Sequence, residues 1–154
     1  MGQQQLLLLV LGIVIVGLAV VIGIQAFSEN KTNSTTDAMS TEIVRIASDI
    51  QTWSLKPQAF GGPVGGSGFA DVTFSDLGYD LAALDGGPAY ATRTAHYVID
   101  GSATADCVTV NGISNDGVTG GAANGSETAA LMSVRVTGTG PDDIEFAGVH
   151  QTCS

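Results

Sequence analysis

The residues that could do acid–base, nucleophilic or metal chemistry in this 154-residue chain are few and scattered. His96 falls in a strand-like run and His150 near the C-terminus. Ser and Asp are plentiful, but no Gly-x-Ser-x-Gly elbow presents a nucleophile, so no catalytic residue is assigned and no enzymatic activity is expected. Asp76, Asp80 and Asp85, with Gly86-Gly87, could line a calcium loop, yet they depart from EF-hand spacing and read as a solvated acidic loop. Asp142, Asp143 and Glu145 read the same way. No metal site is expected, because two cysteines and two histidines show no ligand spacing. There is no Cys-x-x-Cys-His haem signature, and no cofactor is expected. What remains is covalent chemistry at the surface and between cysteines. Asn30, Asn33 and Asn124 each open a glycosylation-type triplet. Cys107 and Cys153 form a disulfide if the head lies in an oxidising compartment; the alternative is two buried thiols.

The elements around these residues are sharply partitioned. The chain carries 5 Lys+Arg against 15 Asp+Glu, a net charge of −10, which argues against nucleic acid as the main partner. None of these charges precedes Glu29. Leu6 to Ile24 holds no polar side chain, and as a helix it would span about 28 Å, close to a bilayer's hydrocarbon core. Leu, Ile and Val occupy every side, so such a helix has no polar face to turn toward water. It needs lipid or other helices around it.

Three readings fit this segment. A secretory signal peptide would want a basic leading region, which Met1-Gly2-Gln3-Gln4-Gln5 lacks, although Ile24-Gln25-Ala26 is a faint cleavage-like site. A plain single-span anchor is the second. The third is a helix that waits in a membrane and is later buried among copies of itself. Gly12, Gly17 and Gly23 suit tight helix packing or local unwinding, and Ala19-x-x-x-Gly23 has small-residue spacing. Myristoylation is not indicated, because Leu6 stands where Ser or Thr is wanted.

Residues 25–37 are polar and rich in Asn and Thr, with no proline. Either the helix continues through them, or a short break leaves Asp37 to cap the next helix. Ala38 to Leu55 is amphipathic: Ile43, Ile46, Ile50 and Trp53 recur three or four apart and are expected to pack the helix on the head. Lys56-Pro57 ends the run. If the helix is continuous from Gln3 to Leu55 it is about 80 Å long, and one end must project. Past the Gly-rich loop Gly61 to Gly68, strand-like runs cover Tyr90–Asp100, Thr104–Ile113, Ala130–Thr137 and Ile144–Gln151, with turns or long loops at Asn115-Asp116-Gly117 and from Gly120 to Ser126. Phe69 to Leu84 is less clear. The expected fold is α+β: a long N-terminal helix laid against a small antiparallel sheet of about four strands. Its parts are an apolar helix over 1–28, an amphipathic continuation with the polar stretch over 29–57, and a Gly-rich acidic head over 58–154.

Met1-Gly2-Gln3-Gln4-Gln5 followed by an unbroken Leu/Val/Ile helix with interspersed glycines resembles the N-termini of bacterial type IV pilins and pilin-like proteins. The triple-glutamine start also resembles a group of short pilin-like proteins that lack a long leader. The resemblance is specific over residues 1–57 and architectural beyond. It implies a subunit that waits in the inner membrane, is extracted by an ATPase-driven assembly machinery, and polymerises with itself into an extracellular filament. The helices would form the filament core and the heads its outer surface. It also implies that Met1, through its N-terminal amine, and Gln3, Gln4, Gln5, Gly12, Gly17 and Gly23 serve assembly. Two departures stand out. The family usually has an acidic residue where Gln5 stands, whose carboxylate pairs with a neighbour's amine; here the amides of Gln3, Gln4 and Gln5 would share that task. The family often has a proline late in the apolar helix, whereas this chain has Val21 and Ile22 there, leaving any loosening to Gly17 and Gly23. Under the resemblance, Met1 follows a removed leader, is an unprocessed start, or a peptidase cuts after Gly2. Two rival functions remain: a membrane-anchored binding or adhesion protein, and a pseudopilin of a secretion machine.

Overall fold

A computed structural model describes residues 2–66, 68–84, 87–100, 103–115, 132–147 and 152–153. Met1, Asp85, Gly86, Asp116, Gly117, the stretch from Gly120 to Ser126 with Asn124, and His150 lie outside the described residues. By internal contacts the chain divides into two units, Met1–Ser34 and Thr35–Ser154.

One helix, α1, runs over Gly2–Ser54. Of the two alternatives for residues 25–37, the unbroken helix is the one observed. Asp37 is therefore not an N-cap; its carbonyl accepts hydrogen bonds from the hydroxyls of Ser40 (2.8 Å) and Thr41 (3.1 Å). The helix stops where Pro57, at φ −61° and ψ 145°, turns the chain into an extended conformation.

Within the second unit, the part of α1 from Thr35 packs against an antiparallel sheet with six strands among the described residues, in simple meander order. The strands are β1 (Leu81–Leu84), β2 (Gly87–Ala91), β3 (Ala95–Ile99), β4 (Val108–Ser114), β5 (Met132–Val136) and β6 (Ile144–Ala147). About four strands were expected. The strand-like run Tyr90–Asp100 proves to be two strands joined by a turn at Thr92–Thr94, where Thr92 N–H donates to the Ala95 carbonyl at 2.8 Å. No Gly, Pro or Asn marks that corner, so alternation alone carries straight through it. The β1–β2 hairpin lies in and just past the stretch that read as unclear. Asp85-Gly86 between the two runs is the signal that could have found it.

Alternate residues divide the sheet into two faces. Ala95, Tyr97, Val108, Val110, Val134 and Val136 join Met39, Ile43, Ile46, Ala47, Ile50 and Trp53 of α1 in the main core. On the opposite face, Val98, Ile113 and Ala89 form a smaller buried cluster beside buried His96, Thr109, Asn111 and Ser133. Every position of β4 is buried, so its polar residues need internal partners. Ser133 Oγ donates to Asn111 Oδ1 at 2.6 Å across the β4–β5 pair.

A glycine is required where the loop closes on the sheet. Gly68 has φ +58°, and a Cβ there would lie 1.8 Å from the Ala105 carbonyl oxygen. Gly68→Ala is expected to destabilise the head by about 1–3 kcal/mol, read as a lower urea midpoint at unchanged slope. An unchanged midpoint would show that this loop does not hold its place.

Candidate functional site

The candidate site is the apolar N-terminal unit. From Leu6 to Ile24 every large aliphatic side chain is at least half exposed, for example Leu8 at 67% and Ile24 at 65%. The burden falls on all sides of the helix, because Leu, Ile and Val occupy every angular position around it. Among the described residues α1 is the one helix long and apolar enough to cross a membrane. Gln3, Gln4 and Gln5 sit exposed in its first turns. Gly12, Gly17 and Gly23 are exposed too, and a Cβ at each would meet open space. No close approach within the chain requires glycine there.

The head is the opposite case. Ile43, Ile46 and Ile50 are fully buried, and Trp53 donates its indole N–H to the Gly61 carbonyl at 2.9 Å. Gln51 donates to the carbonyls of Gly138 (2.8 Å) and Gly140 (2.9 Å), fixing the β5–β6 connection to the helix. Cys107 and Cys153 are joined by a disulfide with Cα atoms 5.8 Å apart. Cys107 lies just before β4, in an isolated bridge with Thr104, rather than within the strand run in which it was read. Asn30 and Asn33 are exposed on the helix, not on a loop.

The sequence offers the Glu42–Arg45 pair across one helical turn, and it is observed; what sequence reading missed is the set of tyrosines that clamps α1 to the head around it. The Tyr79 hydroxyl donates to Asp49, and the Tyr90 hydroxyl donates to Glu42 at 3.3 Å. Arg45 pairs with Glu42 at 3.6 Å and lies 5.8 Å from the centre of the Tyr79 ring. The rings of Tyr79 and Tyr90 are 4.6 Å apart, and those of Tyr90 and Tyr97 6.1 Å apart. No motif announces such a cluster; the only signal is the i, i+3 and i+7 spacing of Glu42, Arg45 and Asp49 along one flank of the amphipathic helix.

Burial, followed by the acidic neighbours, pushes all three phenols upward: Asp49 acts on Tyr79, and Glu42 on Tyr90 and Tyr97. A phenol with a raised folded-state pKa favours folding fully below the unfolded value of about 10, and that contribution is lost as pH rises above it. The melting temperature is therefore expected to fall above about pH 10, with tyrosinate absorbance rising together with unfolding. Among the described residues the buried Tyr97 hydroxyl has no hydrogen-bond partner, so Tyr97→Phe is expected to keep neutral-pH stability and blunt the alkaline loss. Tyrosinate absorbance that appears fully before unfolding would contradict this.

Among the described residues, no group of three or more His, Cys, Asp or Glu side chains converges as a metal site. His96 is buried in β3, with Nδ1 2.8 Å from Asn115 Oδ1, where it braces the turn end of the sheet. The class defined by these observations is a pilin-like architecture: a long N-terminal apolar helix, its C-terminal part packed on an antiparallel sheet with a disulfide. No protein-family model, no curated protein and no solved structure matches the chain.

Proposed function

We propose that this protein is a structural subunit that polymerises into an extracellular type IV pilus-like filament. The N-terminal helices bundle in the core and the heads form the outer surface. One observation carries the reading: the helix from Leu6 to Ile24 exposes aliphatic side chains on every side, while the head buries its own core. Burial of apolar surface contributes about 25 cal/mol per Å², so a stretch like this is not stable bare in water. Lipid and a sheath of like helices are both apolar, and transfer from one to the other leaves the hydrophobic term nearly unchanged. The partners in this reading are the inner membrane before assembly, the pilus assembly machinery, and then further copies of the chain.

The test is electron microscopy of material sheared from cells, with mass spectrometry of the fibres. Long fibres made of this chain support the reading. A detergent-bound monomer and no fibres would favour a plain membrane anchor. Because the chain carries net charge −10, its copies repel at low ionic strength. Fibres are expected to be more robust at moderate to high salt, where screening shortens that repulsion to within about 10 Å. Rapid disassembly in high salt with persistence in dilute buffer would contradict this.

A further inference from the structure

The chain has five Lys+Arg side chains. Two of them are used inside the head: Arg45 pairs with Glu42, and Arg135 pairs with Glu145 across β5 and β6. Arg93, exposed in the turn between β2 and β3, makes no ion pair among the described residues. That turn lies at one end of the sheet, because Asn115, just past the end of β4, donates from its backbone to Thr94 (3.0 Å) and from its side chain to Thr92 (2.9 Å).

A cleft of about 370 Å³ opens at the other end. Trp53 and the Gly61–Val64 loop form one side of it, and Asp71 and Asp76 supply its carboxylates. One oxygen of Asp76 is held by the backbone N–H and hydroxyl of Thr73, while Asp71 is exposed and makes no ion pair among the described residues. Apolar residues crowd the same loop: Phe60 is 80% exposed and Val64 62%. Lys56 precedes this loop and likewise makes no ion pair among the described residues. The cleft segment is tied to the far end of β3 and β4 by the Phe69 N–H, which donates to the Ala105 carbonyl at 3.2 Å. The five residues of β3 span about 16 Å between these ends, a gap no arginine side chain crosses.

We propose that Arg93 of one copy seats in the Asp71–Asp76 cleft of a second copy, with Phe60 and Val64 covered around it. Charge complementarity selects the occupant. Copies of a chain at −10 repel, and a close contact that places a cation against carboxylates offsets that repulsion locally, within a distance at which salt screens little; Arg93 is an exposed cation at the pole opposite the cleft. A guanidinium also suits this cleft better than an ammonium would, because its flat, weakly hydrated face tolerates apolar walls while its edge meets carboxylates. Two different patches make a heterologous contact, which repeats without closing and yields an open polymer. This contact rests on the filament reading, and adds to the helix bundle a junction between heads.

The test is charge exchange in the full-length chain. Arg93→Glu and Asp71→Arg are each expected to lower the yield of sheared filaments by at least about tenfold. The double variant, which restores opposite charges across the junction, is expected to recover most of that yield. Both side chains are exposed, so thermal melting of the head should match wild type in all three variants. Undiminished filaments from Arg93→Glu, or a double variant no better than either single one, would overturn the junction and leave the filament reading standing. Absence of filaments from the wild-type chain would overturn the filament reading, and the junction with it.

Discussion

Lysine in place of Val14 is expected to abolish filaments while the head stays folded. Val14 sits in the middle of the uncharged helix and is 52% exposed in the single chain. A lysine at the centre of a membrane helix costs about 2.5–3.5 kcal/mol on insertion scales. Inside a bundle the same ammonium would be desolvated with no carboxylate within the apolar stretch to pair with, at a cost of several kcal/mol per ion. The polymer repeats that cost in every copy, so a partial effect in the single helix becomes a loss of fibres. The head has its own core, which begins along the helix at Thr35 and Met39. Filament yield should therefore collapse with no change in the head's melting transition, followed through Trp53. Normal fibres from this variant would mean that the apolar stretch is not what the polymer buries.

The second large effect is expected at the disulfide. Cys107 and Cys153 are 46 residues apart in sequence, and the chain-entropy account gives a loop of that length roughly 4 kcal/mol of stabilisation. Beyond entropy, the bridge fixes the C-terminal end to the sheet: Cys153 Sγ lies 3.6 Å from Thr109 Oγ1, and Thr109 is fully buried in β4. Replacing both cysteines by serine, or unfolding the wild-type chain with reductant present, should remove most of that stability. Urea unfolding with and without reductant measures it directly. A difference below about 1 kcal/mol would show that the covalent tie adds little to the packing already present. The double serine variant controls for effects of reductant elsewhere.

The two effects fall on parts of the chain that differ in how plainly the sequence announces them. An uncharged run of Leu, Ile and Val states its own requirement, because no arrangement of those side chains along a helix leaves a face for water. The spacing of Ile43, Ile46, Ile50 and Trp53 likewise specifies which side of α1 can be buried. The polar stretch around Asn30 and Asn33 was equivocal. Its residues are weak helix formers with many hydroxyls, and the observed helix there carries Thr32 donating back to the Ser28 carbonyl at 3.1 Å. Local preference alone did not decide between break and continuation.

In the head, the periodic signal found strands but miscounted them. Alternation passed through the Thr92–Thr94 turn, and the β1–β2 hairpin was hidden by small residues with little β-propensity. Cross-strand partners were beyond reach. That Asn111 would accept from Ser133, or that Tyr79 and Tyr90 would donate to Asp49 and Glu42, follows only from register and from how the helix crosses the sheet.

By itself, then, the order of residue types determined an apolar helix that cannot be left in water, an amphipathic continuation, a β-rich acidic head and two cysteines able to join. These are properties of neighbours along the chain, and periodicity and composition report them. Only the tertiary structure decided the six-strand meander, the burial of polar side chains on the sheet's second face, the tyrosine–carboxylate clamp, and the placement of Arg93 and the acidic cleft at opposite ends of β3 and β4. Each of these depends on which residues meet across strands far apart in sequence, and a shift of one residue in register would exchange every partner.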